Sequence, residues 1–303
     1  MRVFITGATG FIGSAVVREL IGAGHQVVGV ARSDAGAAFL TSAGAEVHRG
    51  DLADPDGLRR GAATADGVVH LAFQHDFANF EASARAERRA IEMLGEELAG
   101  SDRPFVVTSG TAGLPPGQVG TEDDGFVADS PAAARMPTEA VALAFAARGV
   151  RVSAVRLAPS VHGAGDHGFV PRLIDLARQR GVCAYVGDGA NRWPAVHRLD
   201  AARLYRLALE SAPAGTRLHG VDDEGVPFRD IATVIGRHLD LPVTAIPAAE
   251  ADAHFGWLGI LAGRDIPASS TRTRKLLDWH PEQPSLIADL DEGHYFGQGA
   301  ARA

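Results

Sequence analysis

Apolar and polar positions in the first half of the chain alternate between two rhythms. Short runs rich in β-branched and aromatic residues, at 3–5, 26–30, 45–48, 67–71, 104–108 and 150–156, predict six strands. Between them apolar residues recur at helical spacing, as in 14–21, 87–98 and 137–148. Strands that are apolar on both sides, alternating with amphipathic helices, belong to a parallel sheet covered on both faces. The expected class is therefore α/β with a doubly wound parallel sheet. After about Pro159 the rhythm changes to Gly- and Pro-containing loops with short helices near 170–180, 200–209 and 228–239. This predicts a first lobe of residues 1–160 plus about 195–215. A smaller C-terminal substrate lobe would take about 161–194 and 216–295, and the tail beyond Tyr295 is expected to fray.

One turn carries chemistry. Thr6-Gly7-Ala8-Thr9-Gly10-Phe11-Ile12-Gly13 lies between the first strand and the first helix. Glycines at this spacing let the backbone turn tightly and approach a pyrophosphate, which rests on the amides and positive end of the helix. The sheet is thus expected to be of Rossmann type, holding a dinucleotide. At the end of the second strand stands Ala31-Arg32-Ser33, with Asp34 further into the loop. A carboxylate there suits the ribose hydroxyls of NAD, whereas an Arg suits the 2′-phosphate of NADP. Arg32 as a cation and Ser33 as a hydroxyl donor make NADP(H) the expected cofactor, with NAD(H) the alternative.

Composition narrows the partners. The 303 residues allow one large or two modest domains, and 46% hydrophobic with 22% charged residues is an ordinary globular mix. A net charge of −8 offers no broad surface to phosphate backbones or anionic lipid, so the expected partner is a small molecule, not nucleic acid or membrane. The single cysteine, Cys183, cannot form an internal disulfide, and no apolar run approaches the length of a membrane span. A cytoplasmic protein is expected, with a homodimer left open. Of the 29 basic residues only Lys275 is a lysine.

The ordered motifs resemble the extended or atypical branch of the short-chain dehydrogenase/reductase superfamily, the NAD-dependent epimerase/dehydratase-like proteins. Besides the glycine turn, Gly50-Asp51-Leu52 is similar to that branch's adenine-contacting turn, and His70-Leu71-Ala72 to its cofactor-flanking fourth strand. Arg156-Leu157-Ala158-Pro159-Ser160-Val161-His162-Gly163 resembles its Arg-Pro-x-x-Val-Tyr-Gly segment. Gly187-Asp188-Gly189 with 196–200 resembles the stretch leading back to the first lobe. The likeness covers most of residues 1–210. It implies cofactor contacts from Gly7, Thr9, Gly10, Phe11, Ile12, Gly13, Asp51, Leu52, Leu71, Ala72, Phe73, Thr108, Pro159 and His162. Ser109 and Thr111 stand where the family keeps a substrate-binding hydroxyl, so one of them faces the nicotinamide or both cap the next turn.

The departure from the family is its Tyr-x-x-x-Lys pair, in which Tyr donates a proton and Lys lowers its pKa. Tyr185, Tyr205 and Tyr295 are followed four places on by Gly189, Leu209 and Gly299, so no such pair exists here. By spacing, Arg135 falls where Tyr would be and Glu139 where Lys would be. Arg135 could polarise a carbonyl but is a poor proton donor, and Glu139 could accept from ribose hydroxyls. The bland alternative is an i,i+4 surface ion pair. Histidine is the other candidate acid, with His75, His162 and His197 placed near the expected site. No HExxH or CxxC pairing points to a catalytic metal, and no GxSxG elbow is present.

Three readings follow: an NADPH-dependent reductase of a small carbonyl or imine, an epimerase or dehydratase, and a non-catalytic NADP-binding regulator. Asn191, Arg192 and Trp193 are expected to line the substrate pocket, with Trp257, His254 and Phe255 beside them.

Overall fold

The computed structural model describes residues 1–74, 79–130 and 133–297. The chain opens with β1 (Arg2–Thr6), α1 (Phe11–Gly22), β2 (Gln26–Ala31), α2 (Asp34–Ser42), β3 (Glu46–Arg49), α3 (Pro55–Ala63) and β4 (Gly67–His70). It continues through α4 (Phe80–Leu98), β5 (Pro104–Gly110), α5 (Met136–Ala144) and β6 (Arg151–Leu157). Then follow β7 (Ser160–His162), α6 (Phe169–Arg180), β8 (Cys183–Val186), β9 (Arg192–His197), α7 (Arg198–Ser211) and β10 (Thr216–Gly220). The last large elements are β11 (Asp223–Pro227), α8 (Phe228–Leu239) and β12 (Val243–Ile246).

Among the described residues seven strands form one parallel sheet in the order β10-β6-β5-β4-β1-β2-β3. The doubly wound Rossmann-type class expected from the apolar runs is what the chain adopts. The continuous burial of β1 shows why: Val3 and Ile5 pack on one face with α1 and α7, while Phe4 packs on the other with α3 and α4. Local signals start the next two helices, with Ser33 accepting from Gly36 N on α2, and with Asp54 capping α3 ahead of Pro55.

The boundary expected near 215 falls one strand short. β10 pairs with β6 and extends the main sheet, a placement set by tertiary contact of an unremarkable five-residue run. Helix α7 returns the chain to the first lobe, burying Leu204, Tyr205 and Leu209 in the core beside α1. The smaller lobe has its own core around Trp193, Phe228 and Phe255, and two small sheets, β11-β9-β7 and β12-β8.

Candidate functional site

Strand order reverses at β1, between β4 and β2, and the crevice beyond the carboxyl ends there is where α/β sheets bind ligands. Gly7 has φ +69°, and a Cβ on it would come within 2.7 Å of Ala72 N, so only glycine lets β1 and β4 approach. A Cβ on Gly13 would lie 2.0 Å from Gly7 O, so this glycine seats α1 under the turn. Gly10 differs: an added Cβ would meet only Gly7 O, at 3.3 Å. It stands at the N-cap of α1 with no side chain capping the helix, ahead of half-buried Phe11 and Ile12. The cradle is therefore open on the one side a pyrophosphate would occupy, and the residues fit a dinucleotide.

The residues expected around this turn are placed as follows. Arg32 and Ser33 follow β2 in exposed positions, and Thr9 is exposed as well. Arg32 Nη1 lies 3.6 Å from Asp51 Oδ2, and Asp51 Oδ1 accepts from Ala53 N at 2.9 Å. Leu52 packs its side chain on the core under α3. Leu71, Ala72 and Phe73 leave β4 along the crevice, and Pro159 stands half-buried after β6. Thr108 donates to His70 O and shares a 2.8 Å bond with the buried Tyr205 hydroxyl, so its side chain braces β4 to α7.

Arg135 and Glu139 do not pair with each other. Arg135 directs its Nε to both oxygens of Glu87, at 3.1 and 2.8 Å, and its Nη2 to Glu87 Oε1 at 2.5 Å and Thr108 O at 3.2 Å. Its guanidinium also lies 4.2 Å over the ring of Phe73. Glu87 is 1% exposed, and burial pushes its carboxyl up against the pull of Arg135. Glu139 turns the other way. It accepts from Arg156 at 2.9 and 2.7 Å and from Arg217 at 3.0 Å. Burial raises the Glu139 carboxyl, but Arg156, Ser109 and Arg217 outweigh it and hold the group below its usual range. The surface-pair reading is overturned. The two part company: Glu139 is a buried counter-ion of β6 and β10 that also takes a hydrogen bond from Ser109, while Arg135 pairs with Glu87 and stays 20% exposed.

Several other expectations change. Thr111 is 1% exposed and bonds back to Leu157 O, which leaves Ser109 as the half-buried hydroxyl. His162 is buried in the second lobe, 2.9 Å from Asp289 Oδ2, rather than facing the cofactor crevice or reacting groups. His197 caps α7 by accepting from Leu199 N. Asn191 bonds Ala262 O and Arg264 O, Arg192 pairs with Asp265, and Trp193 is wholly buried with its Nε1 on Leu261 O. These three build the second lobe instead of lining an open pocket, because each spends its polar atoms on neighbouring backbone or carboxylate. Phe255 is buried beside Phe228, and His254 lies at its edge. Trp257 is 40% exposed and tilted against Phe169 at 5.8 Å. His75 lies outside the described residues. On the second lobe Asp289, Glu292 and His294 bring ligand atoms within 4.8 Å of one another, a gathering that motif spacing in the sequence does not show.

Glu87 was missed as well, although a signal exists. On α4 it falls in register with Ser83, Ala84, Ala90, Ile91 and Leu94, a charge on the buried stripe. His70 is a second case, fully buried, 2.8 Å from Thr6 Oγ1 and with Nε2 unpartnered among the described residues.

These burials predict acid sensitivity. Burial, reinforced by Arg135, pushes His70 down to about 3, and burial with His162 pushes His197 down to about 4. Each resists protonation when folded but titrates near 6.5 when unfolded, so stability drains as the pH falls below 6.5. Each costs about 1.4 kcal/mol per pH unit over that window. Asp166, which burial pushes up to about 6, opposes them by favouring the folded state as it gains a proton. Urea unfolding between pH 6.5 and 4 should show falling stability, and His70→Asn should flatten the slope by about one histidine's share. An unchanged slope would refute a neutral buried His70.

Together the reversal point, the open glycine cradle and the rim define a dinucleotide-binding enzyme of Rossmann type. The profile of the NAD dependent epimerase/dehydratase family matches residues 3–219. The chain belongs to that family, and with it to the NAD(P)-dependent enzymes of the short-chain dehydrogenase/reductase type. An uncharacterized protein of Saccharomyces cerevisiae is 50% identical over 96% of this chain and 98% of its own. The 2-alkyl-3-oxoalkanoate reductase of Stenotrophomonas maltophilia is 29% identical over 76% of this chain and 73% of its own. The dTDP-glucose 4,6-dehydratase DesIV of Streptomyces venezuelae, solved with NAD bound, superposes with a TM-score of 0.78 at 21% identity, over 97% of this chain and 96% of its own. Among the described residues no helix is long and apolar enough to cross a membrane.

Proposed function

We propose that this chain is an NADP(H)-dependent reductase of a small carbonyl or imine, with Arg135 at the reacting centre in place of a Tyr-Lys pair. The observation that carries the reading is the fixed guanidinium of Arg135 at the carboxyl end of β5. Glu87, Thr108 O and Phe73 hold it, and its Nη1 has no hydrogen-bond partner among the described residues. A bound nicotinamide supplies the hydride. Arg135 Nη1 would donate to the substrate oxygen and favour the negative charge that develops there. Because a guanidinium keeps its protons, the proton that completes an alcohol would come from solvent. A protonated imine needs no such help, since hydride addition leaves a neutral amine. The carbonyl-reductase relative supports the same substrate class.

Gly10, Phe11 and Ile12 would hold the diphosphate. Arg32, side chain 69% exposed, and the Ser33 hydroxyl would hold a 2′-phosphate, for which Arg32 would exchange its loose contact with Asp51. Oxidation of NADPH with a ketone and with a cyclic imine tests the reading. Arg32→Ala should weaken NADPH binding about 10–100-fold and leave NADH unchanged. Tight binding without turnover on either acceptor would favour a regulator, and equal loss for both cofactors would remove the 2′-phosphate assignment.

A further inference from the structure

Residues 163–168 form a strap between β7 and α6 that crosses the amino end of α1. Arg198, the first residue of α7, sets its guanidinium 5.0 Å over the ring of Phe11 and donates from Nη1 to Ala164 O at 3.0 Å. His167, on the strap, stands edge-on to the same ring at 5.8 Å. Phe11 is the first residue of α1, directly after the open Gly10. On its far side the strap is anchored by Tyr295, whose hydroxyl accepts from Gly163 N at 3.0 Å and donates to Asp166 Oδ2 at 3.2 Å. Asp166 in turn accepts from Gly168 N at 2.7 Å.

The charge on Arg198 is not compensated. Among the described residues its polar contact is with Ala164 O and no carboxylate pairs with it, and burial together with Arg18 pushes its guanidinium below the usual value. A partly desolvated cation without an anionic partner favours any anion that arrives beside it. A dinucleotide's diphosphate brings two negative charges, whereas a helix amino end offers only about half a positive one. The glycine turn adds amides but no full charge.

We propose that Arg198, steadied by the strap and by His167, is the second wall of the diphosphate site and supplies its cation from α7. This deepens the dinucleotide reading and rests on it. The chemistry recognised is the diphosphate, which NADPH, NADH and ADP-ribose share, so Arg198 should act on all three alike. Arg32 should act on NADPH alone.

Calorimetric titration of the full chain with each of the three tests this. R198Q should weaken all three by a similar factor, about 10–100-fold, and make binding less sensitive to salt. R198K, which keeps the charge, should retain most of the affinity, and the melting temperature without ligand should stay near wild type. Should R198Q fail to fold, R198K alone decides: affinity near wild type supports a charge role, and loss as deep as an uncharged side chain would cause overturns it. R198Q binding as tightly as wild type, or losing NADPH but not NADH, overturns the proposal too. If wild-type protein binds none of the three, the dinucleotide reading itself fails. If wild type binds and R198Q matches it, only the assignment of Arg198 fails.

Discussion

Gly10→Val should leave a folded protein that no longer binds dinucleotide. Gly10 has φ −75° and ψ 174°, extended backbone that any residue adopts, and its one close neighbour for a Cβ is Gly7 O at 3.3 Å. A small shift of the turn relieves that contact. The valine methyls would then stand in front of the α1 amides, where a phosphate must come within hydrogen-bond distance. A loss of about 100-fold or more, about 3 kcal/mol, is expected. Gly13→Val provides the contrast, since its Cβ would lie 2.0 Å from Gly7 O and the turn itself would break. Thermal melts with and without NADPH separate the two. Gly10→Val should melt near wild type but lose the upward shift that ligand produces, whereas Gly13→Val should melt lower in both conditions. A Gly10→Val protein that still shifts with NADPH would place the phosphates elsewhere.

Arg135→Ala should cost both stability and rate, for separable reasons. Removing the cation leaves Glu87, 1% exposed, as an uncompensated buried charge, and breaking such a pair typically costs about 3–5 kcal/mol. The same change removes the donor proposed for the reacting centre, expected to cost about 10²–10³ in ketone reduction. Imine reduction should fall less. The double variant Arg135→Met with Glu87→Gln removes both charges at similar volume, so most of the stability should return while ketone turnover stays low. Urea unfolding and steady-state kinetics on one ketone and one cyclic imine report the two effects. Recovery of ketone turnover in the double variant would make Arg135 a structural residue only.

How much of this was legible before folding depends on the range of the interaction concerned. The glycine turn, the strands of the first lobe, and the caps at Ser33 and Asp54 are local matters of backbone freedom and side-chain reach, and the chain carries them in short words. The absence of a Tyr-x-x-x-Lys pair is likewise a matter of counting, with Lys275 the sole lysine. Spacing also singled out Arg135 and Glu139. It could not choose the partner. Arg135 and Glu139 sit one helical turn apart, the spacing at which an ion pair forms by default. Yet each finds its partner on another element: Glu87 from α4 for one, Arg156 and Arg217 from β6 and β10 for the other.

The same limit explains the errors in the second lobe. Asn191, Arg192 and Trp193 carry the residue types of a pocket, but their polar atoms are taken by Ala262, Leu261 and Asp265, some 70 positions along the chain. Arg198 shows the converse, because nothing beside it in the chain marks it out. Its significance arises only when α7 lays it over Phe11, nearly two hundred residues away. The sequence by itself determined the doubly wound sheet, the dinucleotide cradle and the loss of the usual catalytic pair. Tertiary structure alone decided which charges meet and which remain exposed to a ligand, because an ion's strength depends on burial and on the partner brought to it, and both are set by elements distant along the chain.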